Sequence, residues 1–290
     1  FIPSSLMFTI VLTFLVAILC LTLTPAGPLE VLDGWGGGLA GLLEFMTQMA
    51  LVLLLGHILA NTGPVRRLLS WLAGIPRTPL QSYLFVFVVA AAAALITWGL
   101  GLVVGALMAR EVAARGRDRG VQLHFPMLVA SGFAGFVVWH MGYSASGPLT
   151  AATEGSFLTE SLGGQTVPIT ETVFSTWNML AAAATVLVVG LTLYLIAPRG
   201  ETRIIELPAQ KAEKQEVEAA PLETPADRLD ASRVPTLLVG LALTVYLVRH
   251  FVLGGTLTLD IVNWSFLALI LLLTRSAHEL IALTAKAASN

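Results

Sequence analysis

Residues 80–109 read LQSYLFVFVVAAAAALITWGLGLVVGALMA, a stretch without a formal charge, interrupted once at Thr97, Trp98, Gly99, Leu100 and Gly101. Both flanks are basic. Residues 61–79 carry Arg66, Arg67 and Arg77 and no acid, and residues 110–122 carry Arg110, Arg115, Arg117 and Arg119. Lys and Arg collect on the cytoplasmic side of a membrane, so both flanks belong on the same side. One span would separate them, and two full spans would need about 40 apolar residues. The pattern that fits is a re-entrant hairpin, entering from the inside and turning at Thr97 and the two glycines. Such a turn is tolerated at membrane depth only where it is buried in protein or lines a cavity. It also presents helix-end N–H groups, which makes Thr97, Trp98, Gly99 and Gly101 a candidate substrate site. The simpler reading of the glycines is close helix packing, and that of Trp98 is an interfacial belt residue.

The rest of the chain is of the same kind. Hydrophobic residues make up 56% and charged residues 12% of its 290 positions, with a mean hydropathy of +0.82. A soluble domain carries about twice that charge. The expected class is an all-α polytopic membrane protein. Further apolar runs lie at 6–23, 39–60, 125–141, 173–197 and 235–253, with a short one at 264–273. Residues 24–37, 142–171 and 254–263 hold acids but no Lys or Arg, and are expected outside. Six of the 16 basic residues fall in the Glu-, Lys-, Ala- and Pro-rich stretch 198–233, which reads as a solvated cytoplasmic linker. Arg249 alone is misplaced, near the outer end of its span, where snorkelling accommodates it.

A second interruption follows residues 125–141, where the apolar run gives way to Gly142, Tyr143, Ser144, Ala145, Ser146, Gly147 and Pro148. Broken helices offer backbone groups and half-helix dipoles to anions and coupling ions, although Ser, Gly and Pro also make ordinary turns. Gly142, Ser144, Ser146, Gly147 and the nearby His140 join the candidate substrate site. A histidine titrates near neutrality and suits proton coupling, or merely bonds a neighbouring helix. The expected organisation is a first repeat at 1–197 (hairpin about 80–109, broken helix about 125–150), a linker at 198–233, and the start of an inverted second repeat at 234–290. The chain starts without Met, stops after an unfinished helical stretch, and would have its second hairpin beyond Asn290, so both ends read as incomplete. No basic n-region precedes the first span, and no signal peptide is expected.

Other polar residues sit within apolar runs. Glu44 and Gln48 share one helix face; Gln48 is deeper, is expected to face protein, and is included in the substrate site. His57 is about half a turn out of phase and is expected near the inner interface. Cys20 is alone and makes no intrachain disulfide. No metal-ligand spacing, phosphate loop or nucleophile–base pair is present, so no enzyme, metal or cofactor is expected, apart from a possible coupling H+ or Na+. No basic, aromatic-interleaved patch suggests nucleic acid.

Several ordered pieces carry a family likeness. They are Trp35-Gly36, then Gln48-Met49-Ala50-Leu51 with Gly56-His57. WGLGLVVGALMAREVA follows at residues 98–113, and then Trp139-His140 with Gly142, Ser144, Ser146, Pro148 and Leu149. Together they resemble the short-chain fatty acid transporter family, similar in turn to the wider ion transporter superfamily of paired inverted repeats with hairpins. The resemblance implies ion-coupled alternating-access transport of acetoacetate- or butyrate-like monocarboxylates across a bacterial inner membrane, with a possible homodimer. Members tend to carry Asn before the hairpin tryptophan, where this chain has Thr97, and Gly-Gly before the serine-rich break, where it has Met141-Gly142-Tyr143. It also implies that this chain is the N-terminal two-thirds or so of a member. The alternatives are a carrier of dicarboxylates or other organic anions, or a non-transporting membrane assembly partner.

Overall fold

The computed structural model describes residues 4–199, 204–208 and 224–288, so most of the expected linker, including 209–223, lies outside the described residues. Among the described residues the chain is wholly helical, with fourteen α-helices, one 3-10 segment and no strand. Six segments are long and apolar enough to cross a membrane: Leu6–Leu23, Pro28–Asn61, Pro79–Ile96, Phe125–Ala152, Thr176–Ile196 and Val234–Val252. The all-α, multi-pass membrane class is thus as expected.

The chain divides into two compact units, Phe1–Thr47 and Gln48–Asn290. The first holds α1 (Ser5–Leu23) and α2 (Pro28–Gly41). The stretch 24–37, expected outside, is helical from Pro28 onward. Pro28 supplies a pre-set first-turn φ. Glu30 supplies a first-turn carboxylate, whose Oε2 accepts the Gly27 N–H at 2.8 Å. These starting signals outweigh the helix-weakening run Gly36, Gly37 and Gly38.

The second unit takes in α3 (Leu43–Asn61) from Gln48 on, then the short α4 (Gly63–Ala73), α5 (Pro79–Ile96) and α6 (Trp98–Asp118). Next come α7 (Phe125–Ala134), the 3-10 segment Gly135–Met141, α8 (Ser146–Ala152), α9 (Phe157–Ser161) and α10 (Thr176–Ile196). After the linker follow α11 (Pro225–Ala231), α12 (Val234–Val252), α13 (Leu259–Leu273) and α14 (Ala277–Ala288). The expected run 173–197 becomes helical only at Thr176, because Ser175 caps it by accepting the Asn178 N–H at 3.3 Å.

The hairpin is the centre of this unit. Thr78 accepts the Gln81 N–H and Pro79 opens α5. Alanines at 90–94 keep its far end slim. Thr97 is the only residue between α5 and α6 and is extended, with φ −156° and ψ 139°. Arg115 and Arg117 stand in the last turn of α6, where cations complement the helix dipole.

Apolar burial gives helices no driving force against one another inside lipid, so association rests on van der Waals packing of small residues. This unit follows that rule. A methyl on Gly101 would stand 2.6 Å from Ala94 Cα, and one on Gly105 would stand 2.8 Å from the Gly132 carbonyl oxygen. Helices α5, α6, α7 and α10 enclose a core around Tyr83, Phe87, Met108 and Leu128.

The two basic flanks of the hairpin meet, as the same-side reading requires. Arg115 donates to Ser70 Oγ at 2.7 Å, and Arg119 donates to the carbonyls of Gly74 (2.9 Å) and Pro76 (3.2 Å). The first described part of the linker is also tied down. The Phe125 N–H donates to the Ile205 carbonyl at 2.8 Å, the Ile205 N–H donates to His124 Nδ1 at 3.1 Å, and Arg117 donates to the Leu207 carbonyl at 3.1 Å. Residues 204–208 therefore differ from the solvated linker expected for 198–233. Main-chain hydrogen bonds hold this segment rather than burial, since Ile205 itself is exposed.

Candidate functional site

The hairpin turn and the broken helix, 46 residues apart, meet each other. The Trp98 N–H donates to Ser144 Oγ at 3.3 Å, and the Tyr143 N–H donates to the Leu95 carbonyl at 2.7 Å. Gly142 lies with its Cα against the Leu95 backbone, and a methyl there would overlap Leu95 O, Cα and C. Only glycine lets the break approach this closely.

Three features shape the break. Gly135 presses on α5, since a methyl there would stand 2.6 Å from Ala91 N. The chain tightens from α to 3-10 at that point and opens at Gly142, whose ψ is −173°. Asn178, in the first turn of α10, then holds the far side, donating to the carbonyls of Met141 (2.9 Å) and Val173 (2.7 Å).

At the turn itself, Thr97 is fully buried, and neither its hydroxyl nor the indole N–H of Trp98 meets a hydrogen-bond partner among the described residues. Thr97 makes no side-chain cap to α6. Buried polar groups left without partners cost about 1–3 kcal/mol each. Here two donors flank one peptide bond. The Trp98 ring lies 6.0 Å from that of Trp139, which stacks on Phe136 at 5.3 Å and meets His140 edge-on. An aromatic wall thus stands beside the two unpartnered donors.

The remaining predicted residues fall as follows. Ser144 is fully buried; Ser146 is nearly so and opens α8. A methyl on Gly147 would meet nothing within 4 Å. Gly99 faces α3, where a methyl would stand 3.0 Å from Leu53 Cα, and reciprocally a methyl on Gly56 would stand 2.8 Å from the Leu100 nitrogen. The glycines 99 and 101 are thus packing positions, and α3 covers the first turn of α6. The expectation that the tip N–H groups lie open needs correcting in this conformation. Ser144 takes the one from Trp98, and Gly56 covers Leu100. His140 is exposed.

Gln48 is buried, one turn before Val52, whose carbonyl abuts Gly99. Its amide donates to Asp260 Oδ1 at 3.0 Å, while its main-chain carbonyl accepts from Asn263 Nδ2 at 3.1 Å. Asn263 Oδ1 is buried without a partner. Helix α13 also packs on α8, so it touches both Gln48 and the helix that follows the break. Asp260, Asn263 and Asn178 were missed in the sequence. The first two were assigned to an outside stretch, although their i, i+3 spacing places them on one face of an apolar helix. A double-mutant cycle of Gln48→Ala and Asp260→Ala, read by thermal unfolding in detergent, should give a coupling of roughly 0.6–1.7 kcal/mol. Strict additivity would show that the pair is not formed.

A sequence profile of the family described as short chain fatty acid transporter matches residues 1–290. A protein of Escherichia coli (strain K12) named "Putative short-chain fatty acid transporter" is 36% identical over 282 residues, covering 94% of this chain and 62% of that protein. One of Haemophilus influenzae (strain ATCC 51907 / DSM 11121 / KW20 / Rd) with the same name is 34% identical over 280 residues, covering 92% and 61%. This chain thus spans about three-fifths of the length of these curated relatives. No solved structure matches it.

Proposed function

The chain belongs to the short-chain fatty acid transporter family, and from that premise we propose that it serves a secondary carrier of short-chain monocarboxylates in a bacterial inner membrane. The observation that carries this reading is the pair of unpartnered donors at the hairpin turn, the Thr97 hydroxyl and the Trp98 indole N–H. A carboxylate offers two acceptor oxygens and no donor, so it complements two donors. A short alkyl tail suits the wall of Trp98, Trp139 and Phe136.

On this proposal the hairpin is re-entrant, and residues 1–197 form one transport repeat whose inverted partner begins near residue 234. Substrate competes with Ser144 for the Trp98 N–H, so separation of the break from the turn opens the site. That separation, with movement of the hairpin-bearing helices against the others, gives alternating access. Coupling to H+ or Na+ belongs to the same proposal.

Thr97→Val tests it, because stability and function should move in opposite directions. Removing a buried hydroxyl that has no partner should leave the melting temperature unchanged or raised. Butyrate uptake by proteoliposomes containing the complete protein should fall about tenfold, the loss of one hydrogen bond of roughly 1.4 kcal/mol to the carboxylate. Undiminished uptake would remove Thr97 from the site.

A further inference from the structure

Where the two basic flanks meet lies a second, unrelated feature, an open cavity of about 670 Å³ lined by Arg67, Ser70 and Trp71 of α4, Gly74, Ile75 and Arg77 of the following loop, and Arg115 of α6. Three arginines and no acidic residue line it. Arg115 is held by Ser70 Oγ at 2.7 Å, and Arg119 pins the loop through the Gly74 and Pro76 carbonyls. The floor is therefore fixed before any ligand arrives. Arg67 and Arg77 are exposed at the rim.

Helix α4 is apolar on two sides. Leu69 and Ala73 are buried inward, yet Leu68, Trp71 and Ile75 continue an outward stripe at 52%, 65% and 46% exposure. A helix facing water would be polar there. An apolar stripe carrying Trp beside arginines is the composition of a helix lying in a lipid interface. Basic pockets between membrane helices take phosphate headgroups, and guanidinium binds phosphate through paired hydrogen bonds.

We propose that this cavity binds the phosphate of an anionic phospholipid, whose glycerol and acyl chains lie over Leu68, Trp71 and Ile75. Free phosphate would satisfy the arginines but leave the apolar stripe without a role.

The test is native mass spectrometry of the purified chain in detergent with added phosphatidylglycerol or phosphatidylcholine. Phosphatidylglycerol should be retained preferentially. R67Q combined with R77Q should weaken its retention roughly twenty-five-fold, about fivefold for each arginine. R66Q makes the same single change of charge as R67Q, on α4 but outside the cavity, and should retain the lipid. Equal retention of the two lipids, or equal loss in R66Q and in R67Q with R77Q, would overturn the proposal. So would displacement of the lipid by millimolar inorganic phosphate, which would reassign the cavity to a soluble anion. Selectivity of the unmodified chain is decisive even if the double variant folds poorly.

Discussion

Gly142→Val is expected to lower the melting temperature by several degrees and, on the proposed carrier function, to abolish butyrate uptake by the complete protein. The added side chain would occupy the backbone of Leu95, and that backbone belongs to a helix whose other face is locked into the core through Tyr83 and Phe87. Backbone cannot step aside as a flexible side chain can. Overpacking of this kind costs about 1–3 kcal/mol, occasionally more. The Tyr143–Leu95 hydrogen bond, at 2.7 Å, would be lost as well, for about another 1 kcal/mol. The break would lift from the hairpin turn, and Ser144 would leave the Trp98 N–H. Gly147→Ala, five residues on, has open space and should melt with the parent protein. If the two variants melt alike, the contact between break and hairpin is not as described.

Gly132→Leu should be at least as damaging, for a different reason. It lies where α7 crosses α6 and where each backbone is the other's neighbour. A first carbon at Gly132 would stand 2.7 Å from the Gly105 carbonyl oxygen and 3.2 Å from Gly105 Cα. Leucine forces the helices apart by the thickness of a side chain, and every contact along the crossing is lost with it. In lipid no hydrophobic term compensates, because the exposed surface is as content among acyl chains as in the protein. The expected result is aggregation on size-exclusion chromatography in detergent. Gly36→Leu, on α2 with nothing within 4 Å, should remain monodisperse.

The parts of this fold that were legible in the sequence were those written in local chemistry. The hairpin follows from two arginine clusters around one uncharged stretch, and Thr97 marks its turn within a residue. The break follows from the Gly142–Pro148 stretch, although only residues 142–145 leave the helix and Ser146, Gly147 and Pro148 open α8. Most of what escaped was non-local. Helix α2 is the local exception: its five glycines weaken a helix on propensity alone, and Pro28 with Glu30 starts it nonetheless. Asp260 reads as a loop acid until α3 brings Gln48 to within 3.0 Å of it. Gly99 and Gly101 are identical in a local reading, yet one serves the crossing with α3 and the other the crossing with α5. Whether a buried hydroxyl has a partner is also invisible in sequence. Thr97 became informative only once its surroundings were known.

The anchoring of residues 204–208 has a consequence for the order in which the protein is assembled. The first N–H of α7 is satisfied by the carbonyl of Ile205 and His124 by the Ile205 N–H, across a separation of 81 residues. During synthesis α7 emerges long before its partner exists, at roughly 5–20 residues per second. The start of α7 therefore waits several seconds, with its end groups in water or the headgroup layer, until α10 has been made and the chain has returned to the same side. Residues 204–208 act as a latch made after the helices it fastens, so the hairpin, the break and α10 can settle against one another before their common foot is closed.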